Sequence, residues 1–204
     1  MKFKIEDELK FKDFEAMVEI EKSYFKPEKI GSSDEDYQWY LKNPDIEIVI
    51  KNVNNGEIAG YSTILPLSKK QYEKYINGEL KDVNISERDL LSYKNNQEYY
   101  LLFCSIAIAK KYREEKVVLY WILRGIYEKL KYLKSRDIRF VNMCAEAVTK
   151  DGQKFVESFL NLRFIKRNKD GNKLYNFKED YDDFNQWLEI IPKYIGDYYS
   201  KYVN

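Results

Sequence analysis

The first constraint on any chemistry this chain performs is a missing side chain. Among 204 residues there is no histidine. Ser-His-Asp hydrolysis, Cys-His proteolysis and histidine-bearing zinc sites all need an imidazole, so these classes are excluded. Carboxylates, tyrosines and two thiols remain, several of them in apolar surroundings. Glu21 falls about 340° round a helical wheel from Phe14, inside the stripe formed by Phe14, Met17, Val18, Tyr24 and Phe25. Burial there would raise its pKa and suit a general base, or its charge could hold a substrate amine. The plainer alternative is a carboxylate at the edge of the helix face, paired with a lysine. Tyr100 and Cys104 share strand parity with Leu102, so the three face one side. Tyr100 could act as an acid, position a water, or only pack. Cys104 and Cys144 each lie in an apolar run and read as buried free thiols, because two cysteines make no disulfide scaffold in a chain of this size. Glu146 follows the second of these runs, either as an exposed loop carboxylate or as part of a site.

The elements that must position these groups alternate. Phe3 to Ile5 reads as a short strand and Asp13 to Phe25 as a helix. Ser33-Asp34-Glu35-Asp36 is a capped, acidic helix start leading to Trp39 and Leu41, closed by Pro44. Ile46 to Lys51 and Ile58 to Leu65 flank Asn54-Asn55-Gly56, a hairpin signal. The long connection from Pro66 to Glu98 holds an amphipathic stretch with Tyr72, Tyr75, Ile76 and Leu80, and connections of this length are usually functional or locally helical. Tyr99 to Ala109 reads as a strand buried on both faces, followed by a helix from Val117 to Leu133. Ile138 to Cys144 is another buried strand, and Gly152 to Leu160 a short helix. Phe164 to Lys166 and Leu174 to Phe177 form a hairpin about Lys169-Asp170-Gly171-Asn172. The tail carries Phe184, Trp187, Leu188 and Ile191 and then a run of tyrosines, so it must bury that face on its own domain or on a second subunit. Docking on its own domain is the expectation, which leaves monomer and homodimer both open.

The balance of 35 basic against 34 acidic residues gives a net charge of +1, so no global field draws the chain to nucleic acid or to a membrane. A nucleic-acid adaptor using the lysines near 129 to 136 is disfavoured for the same reason. The start of the chain lacks the apolar core of a signal peptide. Its longest apolar run, Leu101 to Ala109, is about half a membrane span, so a cytoplasmic protein is expected.

The order of elements, with two local stretches, resembles the GNAT superfamily of acyl-CoA-dependent N-acetyltransferases. The first stretch, Ile106-Ala107-Ile108-Ala109-Lys110-Lys111-Tyr112-Arg113-Glu114-Glu115-Lys116-Val117-Val118-Leu119, is similar to the family's strand, loop and helix start, I-x-V-x-P-x-Y-R-x-x-G-x-G. The second, Val148-Thr149-Lys150-Asp151-Gly152-Gln153-Lys154-Phe155 with Phe159 and Arg163-Phe164, falls in register with the family's C-terminal helix and the Gly-Phe after it. The resemblance implies an α/β fold, a GNAT-like mixed and mainly antiparallel sheet flanked by helices. Residues 1–178 would form the domain, with an insert at 67–98, and 179–204 a helical extension.

It also implies acetyl-CoA as co-substrate and no metal. The pyrophosphate would lie against backbone N–H groups at the helix start, where the dipole favours an anion. The implicated residues are Ile106, Ile108, Arg113, Glu114, Glu115, Lys116, Val117, Val118 and Leu119. Lys116 and Val118 stand where the pattern has glycines. A left-handed backbone at either would cost about 1–2 kcal/mol, and Val118 could crowd the phosphates. Lys110, Lys111, Arg113 and Lys116 concentrate positive charge, with charge-assisted hydrogen bonds of roughly 1.5–3 kcal/mol each as compensation.

The family's catalytic glutamate on the fourth strand corresponds to Leu102, and its tyrosine on the last helix to Phe159, so both usual groups are replaced. Glu146 would sit near the splay that opens the family's acceptor site. Glu21, Glu146 and Tyr100 are therefore the candidates for proton transfer. The activity implied is acetyl transfer from acetyl-CoA to an amine-bearing acceptor by direct attack. The alternative is a catalytically inactive GNAT-like fold that binds a ligand or a partner.

Overall fold

The computed structural model describes residues 1–177 and 181–203. The chain runs β1 (Phe3–Glu6), α1 (Phe11–Glu21), α2 (Ser33–Lys42), β2 (Glu47–Asn52), β3 (Ile58–Leu67), α3 (Lys69–Asn77) and β4 (Glu98–Ile108). It continues with α4 (Lys116–Ser135), β5 (Arg139–Ala147), α5 (Lys150–Ser158), β6 (Arg163–Arg167), β7 (Lys173–Asn176) and α6 (Tyr181–Tyr202). The strands form one sheet of seven in the order β1-β2-β3-β4-β5-β7-β6. Every pairing is antiparallel except β4 with β5, which needs the crossover that α4 supplies. The mixed, mainly antiparallel sheet flanked by helices is thus the architecture observed. The expected domain boundary at 178–179 lies outside the described residues.

Both faces of the sheet are covered, which is why β2 and β3 are buried along their whole lengths. One face packs on α4, α5 and α6 through Ile48, Phe103, Ile122, Ile126, Met143 and Trp187. The other carries α1 and α2 over Phe14, Met17, Val49 and Tyr61, and beyond them the insert helix α3, whose Tyr72 and Tyr75 cover Leu65 and Leu102. The tail buries Phe184, Trp187, Leu188, Ile191 and Ile195 on its own domain, whereas Tyr194, Tyr199 and Tyr202 of the tyrosine run stay exposed. Trp187 is fully buried and donates its indole N–H to the Phe159 carbonyl at 2.7 Å. No helix among the described residues is long and apolar enough to cross a membrane.

Two local departures from the sequence pattern shape the site. Helix α1 ends at Glu21 rather than at Phe25: Ser23 Oγ donates back to the Ile20 carbonyl, and the N–H groups of Tyr24 and Phe25 both bond to Glu21. Side-chain bonds of this kind compete with helix continuation. The apolar stripe therefore persists as a turn that throws Tyr24 towards β4. In β4 itself the register against β3 jumps from Ser105 opposite Thr63 to Phe103 opposite Ile64, so Cys104 is the extra residue of a β-bulge. The bulge swaps the faces of the strand: Tyr99, Leu101 and Phe103 point to α4–α6 before it, and Ile106 and Ile108 after it.

Candidate functional site

A bulge bends its strand and strengthens the local twist. The last registered pair between β4 and β5 is Phe103 with Ala145, although β4 continues to Ile108 and β5 to Ala147. The two strands therefore diverge from the bulge onwards. Ala109 N–H bonds to the Ala59 carbonyl, which fixes the alternation of the antiparallel ladder. By that alternation Ile106 and Ile108 turn their N–H and C=O groups away from β3, into the gap. The start of α5 borders the gap, with Thr149 capping the Gly152 N–H at 3.0 Å.

A cavity of about 120 Å³ occupies this divergence and runs under α1, α2 and the insert. Its wall includes Cys104, Ser105 and Ile106 of β4, Ala145 and Glu146 of β5, and Trp39, Tyr61 and Thr63. It also includes five carboxylates from five different segments: Glu21, Asp36, Glu47, Asp82 and Glu146. Tyr61 donates its hydroxyl to Glu21 Oε1 at 2.6 Å, and Thr63 Oγ1 donates to Glu47 Oε2 at 2.9 Å. Asp82 Oδ1 accepts the Val83 N–H at 2.9 Å. No hydrogen bond or ion pair reaches the Asp36 carboxylate among the described residues.

Low dielectric and like charge act together here. Burial raises the Glu21 pKa, the Tyr61 hydrogen bond works against it, and the Asp82 charge adds to the rise. Burial, then Glu21 and Glu35, push Asp36 up to about 7. Glu47 stands well above the carboxylate range through burial, opposed by Thr63 and reinforced by Asp36 and Glu21. Burial also raises Asp82 against the Val83 N–H, with Glu146 adding to the rise. The same surroundings push the Cys104 thiol well up, first by burial and then through Asp82, Glu21, Asp36 and Glu47, so it stays protonated. Burial and the Glu21 charge likewise keep Tyr61 a phenol and a donor.

Of the residues singled out from sequence, Glu21 and Glu146 meet at this cavity. Glu146 is held at every turn: it accepts from Asn172 Nδ2 at 2.6 Å, Asn168 Nδ2 at 2.5 Å and Lys29 Nζ at 3.3 Å. These bonds tie β5 to the β6–β7 turn. Tyr100 lies outside the cavity wall and packs against Tyr72, ring centroids 4.9 Å apart. Asp36, Glu47, Asp82 and Tyr61 escaped the sequence reading. Asp36 reads there as an ordinary helix-start charge. Glu47 carries a usable signal, a carboxylate opening the apolar run Ile46-Glu47-Ile48-Val49-Ile50.

At the loop after β4, neither Lys116 nor Val118 has a positive φ, so the strain considered for the lost glycines does not arise. Val118 is fully buried and packs beneath β3, where a Cβ built on Gly60 would lie 3.2 Å from Val118 Cγ1. It points into the core, not at a phosphate, and Gly60 makes the room for it. The charge expected at this loop is partly committed. Lys111 pairs with Glu57, while the Arg113 guanidinium lies 4.1 Å from the Tyr24 ring and donates to Tyr24 Oη at 2.7 Å and Ser23 Oγ at 3.0 Å. Tyr24 in turn donates to the Ile108 carbonyl. Lys110 and Lys116 are exposed, and Lys116 opens α4 beside Val117, with Leu119 one turn further in. Glu114 and Glu115 precede the helix, Glu115 as its N-cap residue. The start of α4, whose N–H groups receive no side-chain cap, and the exposed Lys110 and Lys116 make a positive helix terminus beside the half-buried edge of β4.

No protein-family model matches the sequence, and no curated protein is detectably similar to it. Solved structures do match. The acetyltransferase of the GNAT family from Streptococcus agalactiae is 14% identical over 87% of this chain and 96% of its own, with a TM-score of 0.52. The loading GNATL domain of CurA from Lyngbya majuscula gives 9% identity, 90% and 100% coverage and a TM-score of 0.54. The NatB acetyltransferase complex bound to CoA and MES gives 11% identity, 86% and 96% coverage and a TM-score of 0.52. At such identities the likeness is one of fold, and it extends over nearly the whole of each matched chain. This chain has the fold of the GNAT acetyltransferases.

Proposed function

We propose that the protein transfers an acyl group from acyl-CoA, acetyl-CoA in the simplest case, to the amine of an acceptor bound in the carboxylate-lined cavity. The observation that carries this reading is the divergence of β4 and β5, which leaves an edge of β4 without a strand partner, closed at the Ile108 carbonyl by Tyr24, beside that cavity. The NatB structure, of the same fold, holds CoA. Ile106 and Ile108 would hold the extended arm of the cofactor, and the N–H groups of α4 with Lys110 and Lys116 its phosphates. Bound acyl-CoA supplies the thioester carbonyl. The incoming ammonium first gives one proton to a carboxylate. The neutral nitrogen then forms a bond to the acyl carbon as the carbon–sulfur bond breaks, the sulfur leaves as the CoA thiolate, and the second proton shed by the nitrogen passes to that thiolate or to solvent.

Asp36 is the base best matched to that task, since its pKa of about 7 leaves it both ionised and basic near neutrality. Glu21, fixed by the Tyr61 hydroxyl, holds the incoming ammonium and shares the proton. Glu146 is a positioning residue that anchors Lys29 and the β6–β7 turn. Cys104 is held as a thiol, so direct attack is favoured over an acyl-enzyme. A noncatalytic ligand-binding module is the second reading, favoured by Leu102 and Phe159, which fill core positions where the family pattern has a catalytic pair.

Calorimetric titration of acetyl-CoA, followed by thiol release with a panel of amines, tests the proposal. Micromolar binding with amine-dependent thiol release supports it. Binding without release from any amine would leave the module reading in its place, and absence of binding would overturn both.

A further inference from the structure

The cavity gathers more acidic groups than the protein pairs with cations, and burial drives them towards the protonated form. Five carboxylates line it and Lys29 is the one cation among its lining residues. Lys29 is spent on Glu146 and on Asp170, 3.3 and 3.2 Å away. Glu21, Asp36, Glu47 and Asp82 have no cation within ion-pair distance among the described residues. Glu47 is the sharpest case. It is 6% exposed and lines the cavity, its one hydrogen bond comes from a neutral hydroxyl onto Oε2, and Oε1 has no protein partner among the described residues. A buried carboxyl left this way either keeps its proton or is completed by a cation that enters the cavity.

The shape of the site says which cation. No three of its acidic or thiol groups converge as a metal site among the described residues, so the charge is spread along the cavity and not focused on one ion. The five carboxyl groups reach the wall from α1, α2, β2, the insert and β5. An engineered cavity of roughly 150 Å³ holds one benzene ring; a space of about 120 Å³ therefore suits a slim aliphatic chain. Trp39 and Phe25 in the wall add apolar and cation–π surface for its methylenes and ammonium groups. The protein already rests one primary alkylammonium, that of Lys29, on Glu146 at the edge of the site.

We propose that the acceptor is a small aliphatic diamine or polyamine, held by at least two ammonium groups on the Glu21, Asp36, Glu47, Asp82 and Glu146 carboxylates. This rests on the acyl-transfer reading for the fate of the amine but not for its binding. One nitrogen loses its proton and reacts while the others remain charged and hold the chain in register.

The test is calorimetric binding of diaminobutane and of n-butylamine to the full chain, without any CoA species, at two salt concentrations. Diaminobutane is expected to bind at least tenfold tighter than butylamine, and its affinity to fall as salt rises. Glu47→Gln and Asp82→Asn, each checked for cooperative thermal unfolding, should each lower diaminobutane affinity about tenfold. Equal affinities for the two amines, or diaminobutane binding indifferent to both substitutions, would overturn the proposal. Thiol release from acetyl-CoA separates the two readings. Preferred diamine binding with no turnover retires acyl transfer and keeps a polyamine site, whereas turnover of monoamines with no diamine preference does the reverse.

Discussion

Replacing Asp36 by asparagine should make the protein more stable and less active at once. Burial, Glu21 and Glu35 lift this carboxyl from its ordinary 3.8 to about 7, so the folded state prefers the protonated acid. Ionising it in the fold is therefore penalised. The penalty is absent below the unfolded value of 3.8, grows as pH rises towards about 7, and is complete above that. Each tenfold gain in proton affinity is worth about 1.4 kcal/mol, so a rise from 3.8 to about 7 leaves about 4 kcal/mol of stability missing at pH 8 and present at pH 3.5. Asparagine resembles the protonated acid at every pH. The Asp36→Asn variant should thus match the wild type at the acid end and exceed it by about 4 kcal/mol at pH 8. With a urea dependence of roughly 2–3 kcal/mol per molar, the midpoint at pH 8 should move up by about 1.3–2 M. Urea unfolding followed by circular dichroism at both pH values reads this directly. A variant equally stable or less stable than wild type at pH 8 would refute the electrostatic account of the cavity. Turnover of the same variant should drop by about a hundredfold or more, the usual contribution of a positioned base.

Three further outcomes follow from other parts of the structure. The wild-type rate of thiol release should rise with pH through about 7 and then level, because Asp36 must be ionised to accept a proton, and a profile flat from pH 6 to 8 would remove it as the base. Tyr24→Phe frees the Ile108 carbonyl and loosens Arg113, so acetyl-CoA should bind about fivefold tighter, the worth of one ordinary hydrogen bond of about 1 kcal/mol, and unchanged or weaker calorimetric affinity would show that this clasp does not compete with the cofactor. Gly60→Ala places a Cβ 2.9 Å from the Ala107 carbonyl and 3.2 Å from Val118 Cγ1, which should cost about 1–3 kcal/mol in thermal or urea unfolding, with Val118→Ala relieving part of that loss.

Much of the fold is legible in the sequence because the signals are local. The hairpin turns at Asn54-Asn55-Gly56 and Lys169-Asp170-Gly171-Asn172, the buried run of β4 and the strong apolar face of α4 each follow from residues within one element. Glu21 stands out for the same reason: its anomaly is its place in a single apolar stripe. The end of α1 was not legible, since a serine bonding back to Ile20 outweighed a stripe that continues to Phe25. Nor was the harmless fate of Val118, which depends on Gly60 in a strand fifty-eight residues earlier.

What the sequence determined by itself is therefore the order of elements, the absence of imidazole chemistry and the amphipathic tail, all set by composition and by periodicities of two and 3.6 residues. What only the tertiary structure decided is the site. Asp36 sits in an unremarkable acidic helix start, Asp82 in a polar insert and Glu47 at the head of a strand. No spacing along the chain relates them. They become one electrostatic unit because a single extra residue at Cys104 bends β4 away from β5, and α1, α2 and the insert close over the gap. Mutual repulsion in a buried space, which shifts their proton affinities, exists only once those distances exist.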